Sequence, residues 1–184
     1  MLLNLACAEM MAYYKIPHAG TSGSTNGWGA DLIAGEALGM NQITSCLGKV
    51  GLAPFIGGTQ GSKVFSPEVV VYASELIEQS RLFQEGFIIN EETLALDEVK
   101  KAGAGGNFLS SRQTMKLFRY AYHTSSIFPR MSLEKWQETG QPKAQKFLRE
   151  RTLDLLHQSS FPDDQQELLD KGEHLISNHR LLRR

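Results

Sequence analysis

Gly20-Thr21-Ser22-Gly23-Ser24-Thr25-Asn26-Gly27-Trp28-Gly29 opens the stretch on which the reading of the fold turns. The stretch runs on to Gly57-Gly58-Thr59-Gln60-Gly61 and holds eleven of the chain's seventeen glycines. In a chain otherwise rich in helix formers, glycine at this density marks turns that need φ > 0, or backbone that must approach another group closely. Short apolar runs separate the glycines. Lys15 to Ala19 suits a buried strand feeding the polar loop, and Asp31 can cap a helix through Leu38. Asn41 to Leu47 reads as a second strand, and residues 48–61 as a second glycine-rich loop. Ser66 is a good N-cap and Pro67 fits the first helical position, where its missing N–H costs nothing. Val69, Val70, Tyr72, Ala73, Leu76, Ile77 and Leu82 then recur at helical spacing to about Phe83. Strand, glycine loop and helix, twice over, is the grammar of an α/β fold with a parallel sheet, whose ligand-binding loops lie at the carboxyl ends of the strands.

Toward the N-terminus, Leu2, Leu3, Leu5, Ala8, Met11 and Ala12 make a helix apolar on most of its circumference, which needs cover on several sides. A fragment of a longer chain would leave such a helix. Toward the C-terminus, Asn90 to Val99 reads as an N-capped helix stopped by Gly103-Ala104-Gly105-Gly106, and Ser110 or Ser111 can cap a helix to about Tyr122. Further helices are expected over Leu133 to Glu138, from Pro142 to about His157, and from Gln165 to about Ser177. The front third is α/β and the back half helical, with no linker that requires a domain boundary, so residues 1–184 are expected to form a single domain.

Composition narrows the function classes. A net charge of −1, with no basic run outside Arg180-Leu181-Leu182-Arg183-Arg184, argues against a nucleic-acid partner. No apolar run approaches the roughly 20 residues that cross a bilayer, so no membrane span is expected. Met1 to Met11 is interrupted by Asn4 and Glu9 and lacks a basic leader, which argues against a secretory signal. Cys7 and Cys46 stand alone and read as reduced core thiols of a cytoplasmic protein.

Familiar chemistry fits poorly. The first glycine loop misses the dinucleotide fingerprint, is not followed by Gly-Lys-Ser/Thr, and does not complete Gly-x-Ser-x-Gly because Ser24 stands in the last position. Asp31 and Glu36 lie roughly 140° apart around a regular helix, too far for a paired carboxylate site. His18, His123, His157, His174 and His179 are scattered; only His174 and His179 lie at close spacing, and no metal site is expected from them. Trp28, Phe55 and Phe65 fall in or beside the glycine loops, where ring faces can wall a pocket for a cation; as core plugs they would serve equally well.

The order of segments is more specific than any one of them. Tyr13-Tyr14-Lys15-Ile16-Pro17, the Gly-Thr-Ser-Gly loop, Asp31-Leu32-Ile33-Ala34-Gly35-Glu36, Phe65-Ser66-Pro67-Glu68, Asn90-Glu91-Glu92-Thr93-Leu94-Ala95-Leu96-Asp97 and Gly103-Ala104-Gly105-Gly106-Asn107-Phe108-Leu109 follow one another, with Thr114, Phe118-Arg119 and Trp136 behind. This succession resembles the C-terminal region of the trimethylamine methyltransferase family, over about Leu3 to Ile176. The resemblance implies the closing part of a (β/α)8 TIM barrel over 1–122 and a helical extension over 123–184. It implies transfer of a methyl group from a methylated or quaternary amine to the cobalt of a corrinoid protein, with the corrinoid carried by that partner and no cofactor bound directly. No pyrrolysine is written here, so the chain is similar to pyrrolysine-free relatives, some of which demethylate glycine betaine. Ser24-Thr25-Asn26-Gly27 stands where the family usually has Ser-Asp-Ala-Lys, Ile33 stands for a glutamine, and Asn107 and Gln113 stand where histidines are common.

On this reading Trp28, Phe55 and Phe65 are expected to wall a cation cage, and Asp31, Glu36 and Gln60 to position the amine. A partial barrel exposes sheet edges and apolar surface, so a homo-oligomer or another covering partner is expected. The alternatives are a truncated inactive remnant, or a binding module for a small molecule such as betaine without transfer activity.

Overall fold

A computed structural model describes residues 2–20, 22–50 and 54–181, the last three by backbone only. They form two compact units, residues 1–152 and residues 153–184, whose boundary falls inside a helix.

The first unit is mostly helical. Helix α1 spans Leu2–Tyr14, with only Ala8 buried, while Leu2 and Tyr13 stand 84% and 81% exposed. Helix α2 spans Leu32–Leu47, and α3 spans Pro67–Glu85. Both begin where capping chemistry dictates. The Asp31 carboxylate accepts from the Ala34 N–H at 2.8 Å, and the Ser66 hydroxyl accepts from the Val69 N–H with Pro67 at the first position. The two helices share the core of the unit. Ala34 and Leu38 of α2 and Val69 of α3 are fully buried, with Ala30, Tyr72 and Leu76 packed against them.

Between these helices the chain makes a small antiparallel sheet, β1 (Gly58–Thr59) and β2 (Val64–Phe65), pairing Gly58 with Phe65 and Thr59 with Val64. After α3 come four short helices, α4 (Glu91–Leu94), α5 (Leu96–Ala102), α6 (Arg112–Leu117) and α7 (Leu133–Glu138), then α8 (Ala144–Gln158), which crosses the unit boundary. The second unit contains the end of α8 and α9 (Gln165–Leu181).

Several expectations change. Asn41 to Leu47 is not a strand: it completes α2, because Leu38, Gln42 and Ser45 are buried at helical spacing and Gly39 is tolerated within the helix. Lys15 to Ala19 forms no regular strand; only Ala19 makes an isolated bridge. The segment nonetheless lies beside the exit of α2, where a Cβ on Gly20 would sit 3.2 Å from Val50 Cγ1. That adjacency is compatible with an α/β fold, while the one sheet among the described residues is antiparallel rather than parallel. The expected Asn90–Val99 helix is broken at Ala95, whose left-handed backbone (φ 47°) separates α4 from α5. The helix capped by Ser111 ends at Leu117 rather than Tyr122. Among the described residues no helix is long and apolar enough to cross a membrane.

The core of the first unit is small enough that its members can be told apart by mutation. Leu38→Ala is expected to cost about 2–5 kcal/mol, read as a fall in the urea midpoint at constant slope. Leu32→Ala, at a position 89% exposed in the same helix, should stay within about 0.5 kcal/mol. Equal losses at the two positions would contradict this packing.

Candidate functional site

The glycine-rich stretch builds a platform of backbone. Residues 22–27 lie along residues 54–61, joined by Thr25 N–H to Gly58 O at 2.9 Å, Gly61 N–H to Thr25 O at 3.2 Å and Gln60 N–H to Gly27 O at 3.0 Å. From α2, Gln42 Nε2 donates to Ser22 O at 3.0 Å, so a buried amide fastens the loop to the helix below it. Gly23 makes the approach possible: a Cβ there would collide with the Pro54 carbonyl oxygen and lie 2.5 Å from the Ile56 nitrogen. Gly57 turns with φ +91°, and a Cβ on it would meet Val70 and the Phe65 ring. Glycine density in the sequence thus reports both of its causes, close approach and left-handed backbone.

This platform collects most of the residues expected at the site. The Trp28 N–H donates to Asp31 Oδ2 at 2.8 Å, and the Gln60 N–H reaches the carbonyl of Gly27, so Trp28, Asp31 and Gln60 meet at one end of the unit. Phe55 and Phe65 are linked through Gly57 and Gly58: the Gly58 N–H donates to Phe55 O, and Phe65 pairs with Gly58. The rings do not enclose a cage among the described residues, because Trp28, Phe55 and Phe65 are 78%, 61% and 67% exposed. Glu36 stands exposed on α2, with no ion-pair partner among the described residues.

An open pocket lies next to the Asp31 end of the platform. About 220 Å³ is lined by Ala30, Asp31, Leu32, Tyr72, Phe128, Ala144, Gln145 and Leu148. Tyr72 and Phe128 meet edge to face, 6.1 Å between centroids, and the Tyr72 hydroxyl lies over Gly35. The cavity therefore offers two aromatic rings and a carboxylate, a combination that attracts a small organic cation. Backbone N–H bonds, from Ala34 first and Trp28 next, hold the Asp31 carboxyl below its usual value of 3.8, so it is charged at neutral pH. Tyr72 was visible in the sequence only as one apolar position of α3. Phe128 carried no signal at all, since it reaches Tyr72 across 56 residues by tertiary packing.

One turn along α3 from Tyr72, Glu75 is buried with its Oε1 2.7 Å from His123 Nε2. Burial pushes the Glu75 carboxyl up, but hydrogen bonds from His123 and Ser125 and the nearby imidazole hold it below the ordinary carboxylate range. Burial alone pushes the Cys46 thiol up, against the opposing charge of Arg81.

Two measurements test this geometry. Hydrogen exchange should find the Thr25, Gln60 and Gly61 amides protected; Gly23→Ala should remove that protection, whereas Gly29→Ala, where a Cβ meets open space, should leave it intact. Loss of protection in both variants, or in neither, would contradict the close approach at Gly23. For Asp31 the sign is set by its lowered pKa. The cap stabilises the fold above the unfolded carboxyl's value, and that contribution is lost as pH falls through the lower folded value. Asp31→Ala should cost about 1 kcal/mol at pH 7, and the two urea midpoints should converge below pH 3.8. A gap that is constant across the acid range would refute the charged cap.

A sequence model of the family described as trimethylamine methyltransferase (MTTB) matches residues 1–173. The trimethylamine methyltransferase MttB1 of Methanosarcina mazei is 26% identical over 155 residues, covering 84% of this chain and 31% of that protein. MttB of Methanosarcina barkeri is 25% identical over 179 residues, 94% of this chain and 36% of that protein. The glycine betaine methyltransferase of Desulfitobacterium hafniense is 24% identical over 132 residues, 71% of this chain and 28% of that protein. The chain spans about a third of the length of these relatives. A match running from the first helix to the last, through both glycine loops, places the chain in the trimethylamine methyltransferase family.

Proposed function

We propose that this chain supplies the C-terminal part of a methyltransferase that moves a methyl group from a methylated or quaternary amine, of the trimethylamine or glycine betaine type, to the cobalt of a corrinoid protein. The family match over residues 1–173 carries the reading, and the names of the relatives support the substrate class. The site chemistry supports it. A small tetrahedral cation suits a cavity of two rings and one carboxylate, each ring contact contributing about 0.5–2 kcal/mol.

The corrinoid, carried by the partner protein, supplies the nucleophile. What remains for this chain is to hold and aim the amine, which asks for positioning rather than for an acid–base triad. Tyr72, Phe128 and Asp31 would hold the cation. The open faces of Trp28, Phe55 and Phe65, with Gln60 and, from α2, Glu36, would line the surface toward which the methyl group is presented. In a full-length family member we place the first unit among the closing βα units of a (β/α)8 barrel; the glycine platform at the N-terminal ends of α2 and α3 is where such a barrel keeps its binding loops.

A second reading rests on the exposed apolar faces of α1: an inactive remnant, or a betaine-binding module without transfer. The two readings separate in one experiment. A full-length family enzyme whose C-terminal third is exchanged for this chain should methylate a reduced corrinoid protein from trimethylamine or glycine betaine, followed by the absorbance of methylcobalt. Tyr72→Leu should lower kcat/KM about tenfold, the equivalent of about 1.4 kcal/mol of cation–π attraction. Binding of betaine by the chimera without transfer to cobalt would favour the second reading, and neither binding nor transfer would overturn both.

A further inference from the structure

Glu75 and Glu78 occupy one face of α3, a turn apart, and His123 arrives there from the connection between α6 and α7. One ligand atom from each, two carboxylate oxygens and an imidazole nitrogen, lies within 4.8 Å of the others. We propose that Glu75, Glu78 and His123 form a binding site for a divalent transition-metal ion, Zn²⁺ above all, which fastens the 118–131 connection to α3.

Charge is the first argument. The Glu75 side chain is 1% exposed, and the one ion-pair partner it has among the described residues is His123, which is charged only when protonated. No lysine or arginine among the described residues pairs with Glu75 or Glu78. Hydrogen bonds hold Glu75 charged with no permanent counter-ion beside it, and a second carboxylate one turn away adds to the local negative potential. A divalent cation between the two carboxylates balances that charge. Arg130, on the same connection, donates its guanidinium to the His123 carbonyl at 2.9 Å, so it braces the connection rather than the carboxylates.

Ligand type and support are the second. Imidazole beside carboxylate suits zinc and its neighbours, whereas Ca²⁺ and Mg²⁺ prefer oxygen alone. Zinc bonds of about 2.0–2.2 Å need the three atoms drawn a little closer, and the exposed Glu78 side chain can swing to meet that need. Supporting contacts are already made. Gln79 Nε2 donates to Glu75 Oε1 at 3.4 Å, and Ser125, whose hydroxyl accepts from the Ile127 and Phe128 N–H groups, lies beside that carboxylate. On binding, His123 Nε2 gives up its hydrogen bond to Glu75 and its lone pair goes to the metal, the neutral imidazole keeping its one proton on Nδ1; a proton carried on Nε2 moves to Nδ1 through solvent, and only an imidazolium would release one. Three protein ligands leave a fourth position for water.

The test uses the 184-residue chain and Zn²⁺ alone. After dialysis against micromolar Zn²⁺, about one zinc per chain should be retained by elemental analysis, and Co²⁺ in its place should give the intense visible absorption of four-coordinate geometry. Glu78→Gln, a change at an exposed position, should weaken zinc binding by at least tenfold in calorimetry while leaving the circular dichroism spectrum unchanged. His123→Ala should abolish binding, and if that variant fails to fold, Glu78→Gln still decides. Substoichiometric zinc in the wild-type chain, or undiminished binding by Glu78→Gln, overturns the proposal.

Discussion

The glycine platform of the candidate site depends on the close backbone approach at Gly23. With no side chain there, residues 22–27 can lie along residues 54–61, and three backbone hydrogen bonds follow. Those bonds place Trp28 and Asp31 beside Gln60. Asp31 in turn sets the first turn of α2, whose Ala34 and Leu38 bury themselves against Val69 of α3. Loop, cap and core are therefore links in one chain of causes.

The apolar core itself is thin for the size of the chain. Few large side chains are fully buried, while leucines, phenylalanines and tyrosines of α1, of the 87–89 segment and of α9 stand open to solvent. Burial of apolar area is the dominant favourable term in folding, so surfaces of this kind are ones that further protein would cover. The chain spans about a third of the family members it matches, which agrees with that physical expectation.

The cavity and the proposed metal site share one construction. Tyr72, Glu75 and Glu78 rise along successive turns of α3, and the single connection around His123 to Phe128 closes over them, bringing a ring to the first and an imidazole to the second. That connection is held by short-range bonds, Ser125 turning the backbone at Ile127 and Phe128 and Arg130 reaching back to His123. A change in either site is therefore expected to be felt in the other through this segment, since residues in one network do not behave additively.

By itself the sequence determined several helix starts, the stretch in which glycine is indispensable and the family. Asp31, Ser66, Asn90, Ser111 and Ser132 all cap as their chemistry dictates, because a cap is a contact between residues two or three apart. Local pattern failed at Asn41 to Leu47, where a short apolar run fits strand and helix alike and only burial of Gln42 and Ser45 beneath the loop selects the helix. Tertiary structure alone decided that the expected aromatic cage stands open, that Tyr72 and Phe128 wall a cavity with Asp31, and that His123 meets Glu75 across 48 residues. Such meetings are set by how helices pack, and no spacing along the chain records them.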